Sequence, residues 1–389
     1  MGVRKLFMRI VSSVLSIHSS DTAGVCSSLY ELGGMTVVHD ASGCNSTYAT
    51  HDEPRWYSHG SRTYISALTE SDVIMGNDER FIDNVSQSAS EFPECRFIAI
   101  CGSPLPLMVG TDFAALGREI ECRTNLPVLA LNTNGISSYL AGVNQALTAF
   151  AKRFCQKGLQ KSERKVNILG ATPLDFSING SHKSICAFLE ENGFEINSVW
   201  SMDSSFEELC RAGEASVNLL VSSSALELAR YFEEEFDIPY TAILPLGKKS
   251  GAICIDSLRE AAVSKKSSAP AVTMRNCGNE GTIIGETLWS SSLALALELD
   301  SGLKCQVLNP LEEAYAFVKN GELSVPDEKS VEAAFSQSKR VFADPLYKPA
   351  VPEGVSFYAL PHEAFSGRCF RKNMKDLCNK NLEKELEIC

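Results

Sequence analysis

Short apolar runs that resemble buried strands alternate with helical patterns along most of the 389-residue chain, and this alternation is the feature that most constrains the fold. FIAICG (97–102) precedes a helical pattern over 111–124, and LPVLALNTN (126–134) precedes a longer one over 137–154. Strands that are separated by helices form parallel sheets covered on both faces. The pattern therefore predicts an α/β protein built from Rossmann-like, doubly wound parallel sheets.

Two polar segments divide this alternation into three series. LQKSERK (159–165) is charged, and SKKSSAPAV (264–272) is rich in serine, lysine and proline and has no periodicity. A chain of this length is also too long for one ordinary core. We therefore predict three α/β domains, over 1–160, 161–268 and 269–389.

Composition excludes several classes of protein. The hydrophobic fraction of 44% and the charged fraction of 22% are typical of a globular protein, and no apolar stretch approaches the length of a membrane span. The formal charge of −12 argues against nucleic-acid binding, because no basic stripe is present. Fourteen cysteines are scattered without any C-x-x-C pair, which favours free or metal-bound thiols in a reducing cytoplasm.

Motifs that bind nucleotides are missing. LPLGKKSG (244–251) lacks the upstream glycine of a phosphate-binding loop, and no G-x-G-x-x-G follows a strand-like run. We therefore expect that the chain neither hydrolyses ATP itself nor binds a dinucleotide in the usual way.

Three cysteines differ from the rest because each lies near a glycine, at a predicted strand end or turn. They are Cys26 in AGVCSS, Cys44 in ASGCNS and Cys101 in AICGSP. Glycine at such a position lets the backbone approach an inorganic cluster and donate N–H groups to its sulfides. The neighbouring glycines that could bind a cofactor in this way are Gly24, Gly43 and Gly102.

Spacing alone leaves other interpretations of these cysteines open. Thiols at turns can be purely structural, and Cys44 with His39 or His51 could be a nucleophile with its base. Charged groups follow Cys44 in THDEPRW, where His39, His51, Asp52 and Glu53 are candidates for proton transfer. The alternative is a loop in which these charges pair with Arg55 and with one another.

Four segments together resemble the nitrogenase component 1 superfamily. They are VCSSLYELGGMTVVHDASGCNSTY, LTESDVIMGNDERFIDNV (68–85), ICGSPLPLMVGTDF (100–113) and LPVLALNTNGI (126–136). The first is similar to the family's early cysteine followed by a turn of the form G-C-x-x-x-Y, and the third to a cysteine before Gly-Asp-Asp. The resemblance covers most of the chain and is densest over 22–150.

The resemblance implies three domains around a central cleft and an iron–sulfur cluster, most simply [4Fe-4S], bound by Cys26, Cys44 and Cys101. Three extra residues separate Cys101 from its Gly-Thr-Asp, so Cys95 is the substitute, and two chains could instead each contribute two thiolates. It further implies electrons from a separate ATP-dependent iron–sulfur reductase. The chain is then a homodimer, or a heterodimer with a related subunit, that reduces a small molecule such as a tetrapyrrole.

The chain also departs from the larger family members. Cys254 and His362 are the nearest candidates for ligands of a complex metal cofactor, but neither lies in the matching motif, so we do not expect nitrogen fixation. Two alternatives to a reductase stay open. One is a non-catalytic scaffold of the same family for metal-cofactor assembly, and the other is a cluster-free α/β protein that binds a ligand.

Overall fold

The computed structural model describes residues 14–15, 18–41, 52–58, 62–311, 315–317, 319, 322, 324–325 and 327–388. In this part of the chain the strands form three sheets of four parallel strands each. The sheets are β1 (Met35–His39), β2 (Thr63–Ile65), β3 (Ile98–Gly102) and β4 (Val128–Leu131); β5 (Ser162–Leu169), β6 (Glu195–Val199), β7 (Ala215–Leu220) and β8 (Tyr240–Ala242); and β9 (Gly281–Ile284), β10 (Cys305–Leu308), β11 (Arg340–Ala343) and β12 (Ser356–Ala359).

Helices connect the strands and cover the sheets. Those of the first third are α1 (Asp21–Leu29), α2 (Glu70–Met75), α3 (Asp78–Ser90), α4 (Pro104–Val109), α5 (Phe113–Thr124) and α6 (Tyr139–Phe154). Those of the second are α7 (Pro173–Phe176), α8 (Ser181–Glu191), α9 (Phe206–Cys210), α10 (Leu226–Phe236) and α11 (Lys248–Ser264). The remaining ones are α12 (Pro270–Thr273), α13 (Thr287–Ser301), α14 (Glu328–Phe335), α15 (Glu363–Ser366) and α16 (Leu382–Leu386).

The three sheets have the same strand order. Their orders are β2-β1-β3-β4, β6-β5-β7-β8 and β10-β9-β11-β12, so the first and third strands of each series are the central pair. The predicted architecture of doubly wound parallel sheets is therefore confirmed. In such sheets a ligand binds beyond the carboxyl ends of the central strands.

Helix and strand patterns in the first third agree with the sequence. β3, α5, β4 and α6 all lie within the predicted segments. The charged segment 159–165 is different, because β5 begins inside it at Ser162. The first residues of β5 are exposed beyond the sheet's buried centre, which explains why a strand there carries charges. The three sheets fall one in each predicted domain, while the domain boundaries themselves stay a prediction.

Strand β3 separates two cores in the first domain. Ile98 and Ile100 face a smaller core formed with α3 and α5. Ala99 and Cys101 face the main core, which is continuous with the interiors of the other two sheets. This alternation follows from the two-residue period of a strand, and it directs Cys101 towards the middle of the molecule. Among the described residues no helix is long and apolar enough to cross a membrane.

Candidate functional site

Cys26 and Cys101 meet at the interface between α1 and the first sheet. The side chains are 3% and 0% exposed, and the two thiols are in hydrogen-bonding contact. Cys101 lies near the end of β3, as the sequence predicts. The prediction that Cys26 lies in a turn or at a strand end is wrong, because it is inside helix α1.

Gly24 has a packing role that explains why this helix contains glycine. A Cβ atom at Gly24 would overlap the carbonyl oxygen of Tyr139 in α6, and one at Gly142 would overlap the carbonyl oxygen of Asp21. The two glycines therefore let the backbones of α1 and α6 touch, which no larger residue permits. This contact holds Cys26 against β3.

In the protein without a metal, the surroundings of Cys101 oppose ionisation of its thiol. Contact with Cys26, followed by complete burial and the nearby charge of Asp21, raises the pKa of the Cys101 thiol well above its ordinary value. Burial also raises the pKa of Asp21, although its carboxylate accepts backbone N–H groups from Asn134 and Gly135 at 2.7 and 2.8 Å. A bound metal reverses this balance, because a coordinating thiol loses its proton. Two adjacent buried sulfurs thus fit a soft metal centre.

Other predicted ligands are placed differently. Cys44, Gly43 and His51 lie outside the described residues. Cys95 is in the smaller core on the opposite face of the sheet, and its thiol donates to the Phe97 carbonyl at 3.2 Å. This favours Cys101 over Cys95 as the partner of Cys26. No group of three or more metal-binding side chains occurs in the part of the chain that the structure describes.

The backbone of Gly102 is already engaged. Its N–H donates to the Thr133 hydroxyl at 2.8 Å, and that hydroxyl donates back to the Gly102 carbonyl at 2.6 Å. A Cβ atom here would also overlap the ring of Phe113. Gly102 is thus explained by packing between β3 and α5, and its N–H is not free for a sulfide.

His39 ends β1 and lines a cavity of about 420 Å³ at the carboxyl edge of the first sheet. Its side chain packs against Phe81 with 4.2 Å between ring centroids, and its Nδ1 lies 2.9 Å from the Ser66 hydroxyl. Asp40 accepts a hydrogen bond from the Ser103 hydroxyl at 2.6 Å, which links the ends of β1 and β3. Because the cavity is within the size range of small-molecule sites, His39 is well placed to contact a ligand.

Burial lowers the pKa of His39 from 6.5 to about 4, which makes a pH-dependent prediction. Between these two values the unfolded chain binds a proton that the folded chain does not, so the free energy of unfolding falls as pH drops from 6.5 to 4. We expect His39→Asn to reduce this slope in urea denaturation over a pH series. His18, whose pKa burial also lowers to about 4, keeps part of the slope in the variant. An unchanged slope would contradict the assignment.

Glu53 belongs to a buried ion-pair network centred on Arg55. The Arg55 guanidinium donates to Glu53 at 2.6 Å and to Glu31 at 2.9 Å, and the three side chains are at most 10% exposed. It also donates to the carbonyls of Ser27 and Ser201, at 2.6 and 2.9 Å. Of the two interpretations of THDEPRW, the described part therefore favours internal pairing for Glu53, while Asp52 is half-buried.

A polar cluster between the three sheets contains His362, which the sequence analysis names, together with Tyr139, Asp175 and Glu286, which it does not. Tyr139 donates to Asp175 at 2.6 Å, and the His362 Nε2 atom lies 3.4 Å from the same carboxylate oxygen. Glu286 is 1% exposed and accepts hydrogen bonds from Ser223 and from the first turn of α13. Each acid or histidine follows a strand, in ATPLD, IIGE and ALPH, and this shared position is the signal that could have indicated them.

Cys254 and His362, the nearest candidates for ligands of a complex metal cofactor, lie in different surroundings. Cys254 is buried in α11, where burial and the nearby Cys378 raise the pKa of its thiol. His362 is at the junction of the sheets, beside Asp175.

The sequence is similar to proteins of the nitrogenase group. The nitrogenase molybdenum-iron protein alpha chain of Methanococcus maripaludis is 25% identical over 201 residues, which is 49% of this chain and 40% of that protein. The nitrogenase iron-molybdenum cofactor biosynthesis protein NifE of Sinorhizobium fredii is 27% identical over 185 residues, 46% of this chain and 36% of that one. A light-independent protochlorophyllide reductase subunit from Nostoc punctiforme is 23% identical over 238 residues, covering 58% and 46%.

The aligned regions thus span less than half the length of each of these relatives. A solved structure, nitrogenase Cp1 at pH 6.5, superposes with a TM-score of 0.72 over 99% of this chain and 94% of that one, at 13% identity. That likeness shows the fold. The family model described as nitrogenase component 1 type oxidoreductase matches residues 32–277. Since this match covers more than half of the chain, the protein belongs to the nitrogenase component 1 type oxidoreductase family.

Proposed function

We propose that the protein is a nitrogenase-like oxidoreductase component that accepts single electrons from an ATP-dependent iron–sulfur reductase and reduces a small molecule. The observation that carries this proposal is the buried contact between the thiols of Cys26 and Cys101. In this proposal Cys44 supplies a further thiolate, and the bound group is a [4Fe-4S] cluster. Such a cluster stores and passes on one electron at a time.

The residues around the thiol pair hold it in place. The α1–α6 contact at Gly24 and Gly142 fixes Cys26, and the ladder of β1, β3 and β4 fixes Cys101. The described cysteines are all free thiols, which agrees with a reducing cytoplasm, the compartment we propose. We assign proton transfer to His39, His51 and Asp52, and a structural role to Glu53 because Arg55 already binds it.

An exposed apolar surface supports a dimer. Ile74, Met75 and Met108 are 72%, 79% and 81% exposed, and α2 and α4, which carry them, lie side by side next to the carboxyl edge of the first sheet. Contiguous apolar side chains at a surface are typical of protein interfaces. We propose that this surface meets a second copy or a related subunit. A tetrapyrrole-like substrate is one candidate, supported by the similarity to the protochlorophyllide reductase of Nostoc punctiforme.

The scaffold alternative is supported by the similarity to the cofactor biosynthesis protein NifE. Both functions require a metal cluster, so iron binding does not separate them. Turnover does: a catalytic component consumes reductant with an ATP-dependent reductase and a small-molecule acceptor, whereas a scaffold does not. A preparation without iron would instead favour a ligand-binding protein.

Substitution of the cysteines tests the cluster. We expect Cys26→Ser, Cys44→Ser and Cys101→Ser, purified without oxygen, to lose most of the iron and sulfide of the wild-type protein and its EPR signal, because serine is a poor ligand for iron. Cys95→Ser is the matched control, since Cys95 lies across the same sheet, and it should keep its iron. Iron loss in the control but not in the Cys101 variant would reverse the assignment.

A further inference from the structure

The cavity at the carboxyl edge of the first sheet has largely apolar walls. Its volume of about 420 Å³ is in the range of sites that bind small molecules. Leu68, Val73 and Phe81 form part of its wall, and Phe81 is only 5% exposed. Ile74 and Met75 border it from α2, on the surface that we propose to meet another subunit. Walls of this kind favour a ligand with an apolar body.

His39 contributes a buried polar group to this cavity, since its side chain is 6% exposed. Its Nδ1 atom lies 2.9 Å from the Ser66 hydroxyl oxygen. That hydroxyl donates its only proton to the Asp40 carbonyl at 3.2 Å and accepts the Asp40 backbone N–H at 3.0 Å. Towards His39 it can therefore only accept, so the neutral imidazole carries its hydrogen on Nδ1.

The other ring nitrogen, Nε2, is then a hydrogen-bond acceptor. Burial lowers the pKa of His39 to about 4, although the charges of Asp78, Asp40 and Asp72 oppose this, so the ring is neutral at neutral pH. Among the residues that the structure describes, no donor reaches Nε2. An acceptor inside a cavity without a donor from the protein is available to an N–H group of a ligand.

The charged groups of the cavity strengthen this preference for a donor. Asp72, Asp78 and Asp112 line it together with one guanidinium, that of Arg80. Arg80 donates to the Asp72 carboxylate at 3.2 Å, which leaves Asp78 and Asp112 without a cationic partner in the described part of the chain. The cavity therefore carries excess negative charge at neutral pH, and it attracts cations.

The arrangement of these acceptors does not suit a bare metal ion. Within the ranges that the structure describes, no three His, Cys, Asp or Glu side chains come close enough together to hold one. The acceptors are instead spread around a space that apolar side chains enclose. An organic cation matches both features, because its charged end meets the carboxylates while its hydrocarbon part covers the walls.

We infer that this cavity is a binding site for a small organic cation, an amine or guanidine with an apolar body, which donates an N–H group to the Nε2 atom of His39 and lies beside Asp78 and Asp112. The acceptor is preorganised, because Ser66 and the ring of Phe81 hold the imidazole before the ligand arrives. The inference goes beyond the proposed function, since binding requires neither a cluster nor the reductase.

Isothermal titration calorimetry on the full chain at neutral pH tests the class of ligand. The probe is phenethylammonium, and phenethyl alcohol is its neutral counterpart of nearly the same shape. We expect the ammonium to bind saturably and about tenfold more tightly than the alcohol, because charge-assisted hydrogen bonds are the stronger ones. Equal dissociation constants for the two compounds, or no saturable heat from the ammonium, overturn the inference.

Variants of helix α3 test the place of binding. Asp78→Asn removes one carboxylate from the cavity, and we expect it to weaken binding of phenethylammonium about fivefold, as loss of an exposed charge pair does. Asp83→Asn is the matched control, because Asp83 is on the same helix but pairs with Arg123 at 2.7 Å and does not line the cavity. It should keep the wild-type affinity. Wild-type affinity in Asp78→Asn, or an equal loss in the control, overturns the assignment to this cavity.

NMR tests the contact with His39 directly. In the full chain labelled with ¹³C-histidine, the His39 signal is identified by its loss in His39→Asn. We expect phenethylammonium to shift this signal with the dissociation constant found by calorimetry, while the signal of His182 in α8 stays in place. Binding that leaves the His39 signal unmoved overturns the inference. A chain that shows the shift but binds no iron supports the inference and contradicts only the proposed function.

Discussion

Replacement of Arg55 by methionine should lower the free energy of unfolding by about 3–5 kcal/mol. The guanidinium is 5% exposed and is the shared partner of Glu53 and Glu31, so its loss leaves two carboxylates facing each other away from water. It also removes two hydrogen bonds, to the carbonyls of Ser27 and Ser201. The measurement is equilibrium urea denaturation at neutral pH, with the transition followed by tryptophan fluorescence and circular dichroism.

Two further variants separate charge from packing. Arg123 pairs with three acids at the surface, where its side chain is 30% exposed, so Arg123→Met should cost no more than about 1 kcal/mol. Adding Glu53→Gln to Arg55→Met should recover part of the loss, because it removes one of the stranded charges. Equal losses for Arg55→Met and Arg123→Met would show that the buried network does not stabilise the fold.

Substitution of Gly142 by alanine should separate α1 from α6 and weaken iron binding. The added methyl would overlap the backbone of Asp21, which cannot move without shifting the whole of α1. Overpacking of this kind costs about 1–3 kcal/mol or more. Because Cys26 is on the displaced helix, we expect anaerobic iron content to fall together with the melting temperature.

Gly117→Ala is the control for this second prediction. Gly117 is also in a helix that covers the first sheet, but a methyl there would lie 3.2 Å from the Ala130 methyl and 3.4 Å from a methyl of Val128, contacts between side chains that a small shift relieves. Alanine favours a helix by about 1 kcal/mol over glycine, which offsets that contact. The control should therefore keep both its stability and its iron. Iron content that is unaffected by Gly142→Ala would mean that α1 does not position a metal ligand.

The sequence was sufficient for the fold because its signals are local. The apolar run that ends at His39 forms strand β1, and this strand is buried. The spacing of Phe113, Leu116 and Ile120 places them on one face of helix α5, and that face is buried as expected. The second and third sheets repeat the strand order of the first, so the same local signals of strand and helix apply to all three sheets.

The site was only partly predictable because its signals are not local. Gly24 was interpreted as a turn residue, yet its role depends on the backbone of Tyr139 and Val143, which are distant in sequence and reach it only after α1 and α6 pack. Glu53 pairs with its sequence neighbour Arg55, but the network is completed by Glu31 and by the carbonyl of Ser201, which follows β6 in the second sheet. Asp175 and His362 come from different sheets, and no spacing in the chain indicates that they meet.

All three sheets repeat one strand order, so each has a central pair of strands at whose carboxyl ends a ligand could bind. Polar residues meet at the carboxyl ends of the central strands in two of the sheets: Asp40 with Ser103 in the first, and Glu286 with Asp344, which border the same cavity, in the third. A molecule held at the centre would contact elements of more than one sheet, so its affinity depends on how those sheets are oriented. Arg55 donates both to the carbonyl of Ser201, beside the second sheet, and to that of Ser27, the residue after Cys26, so it joins the helix of the candidate metal ligand to the neighbouring sheet.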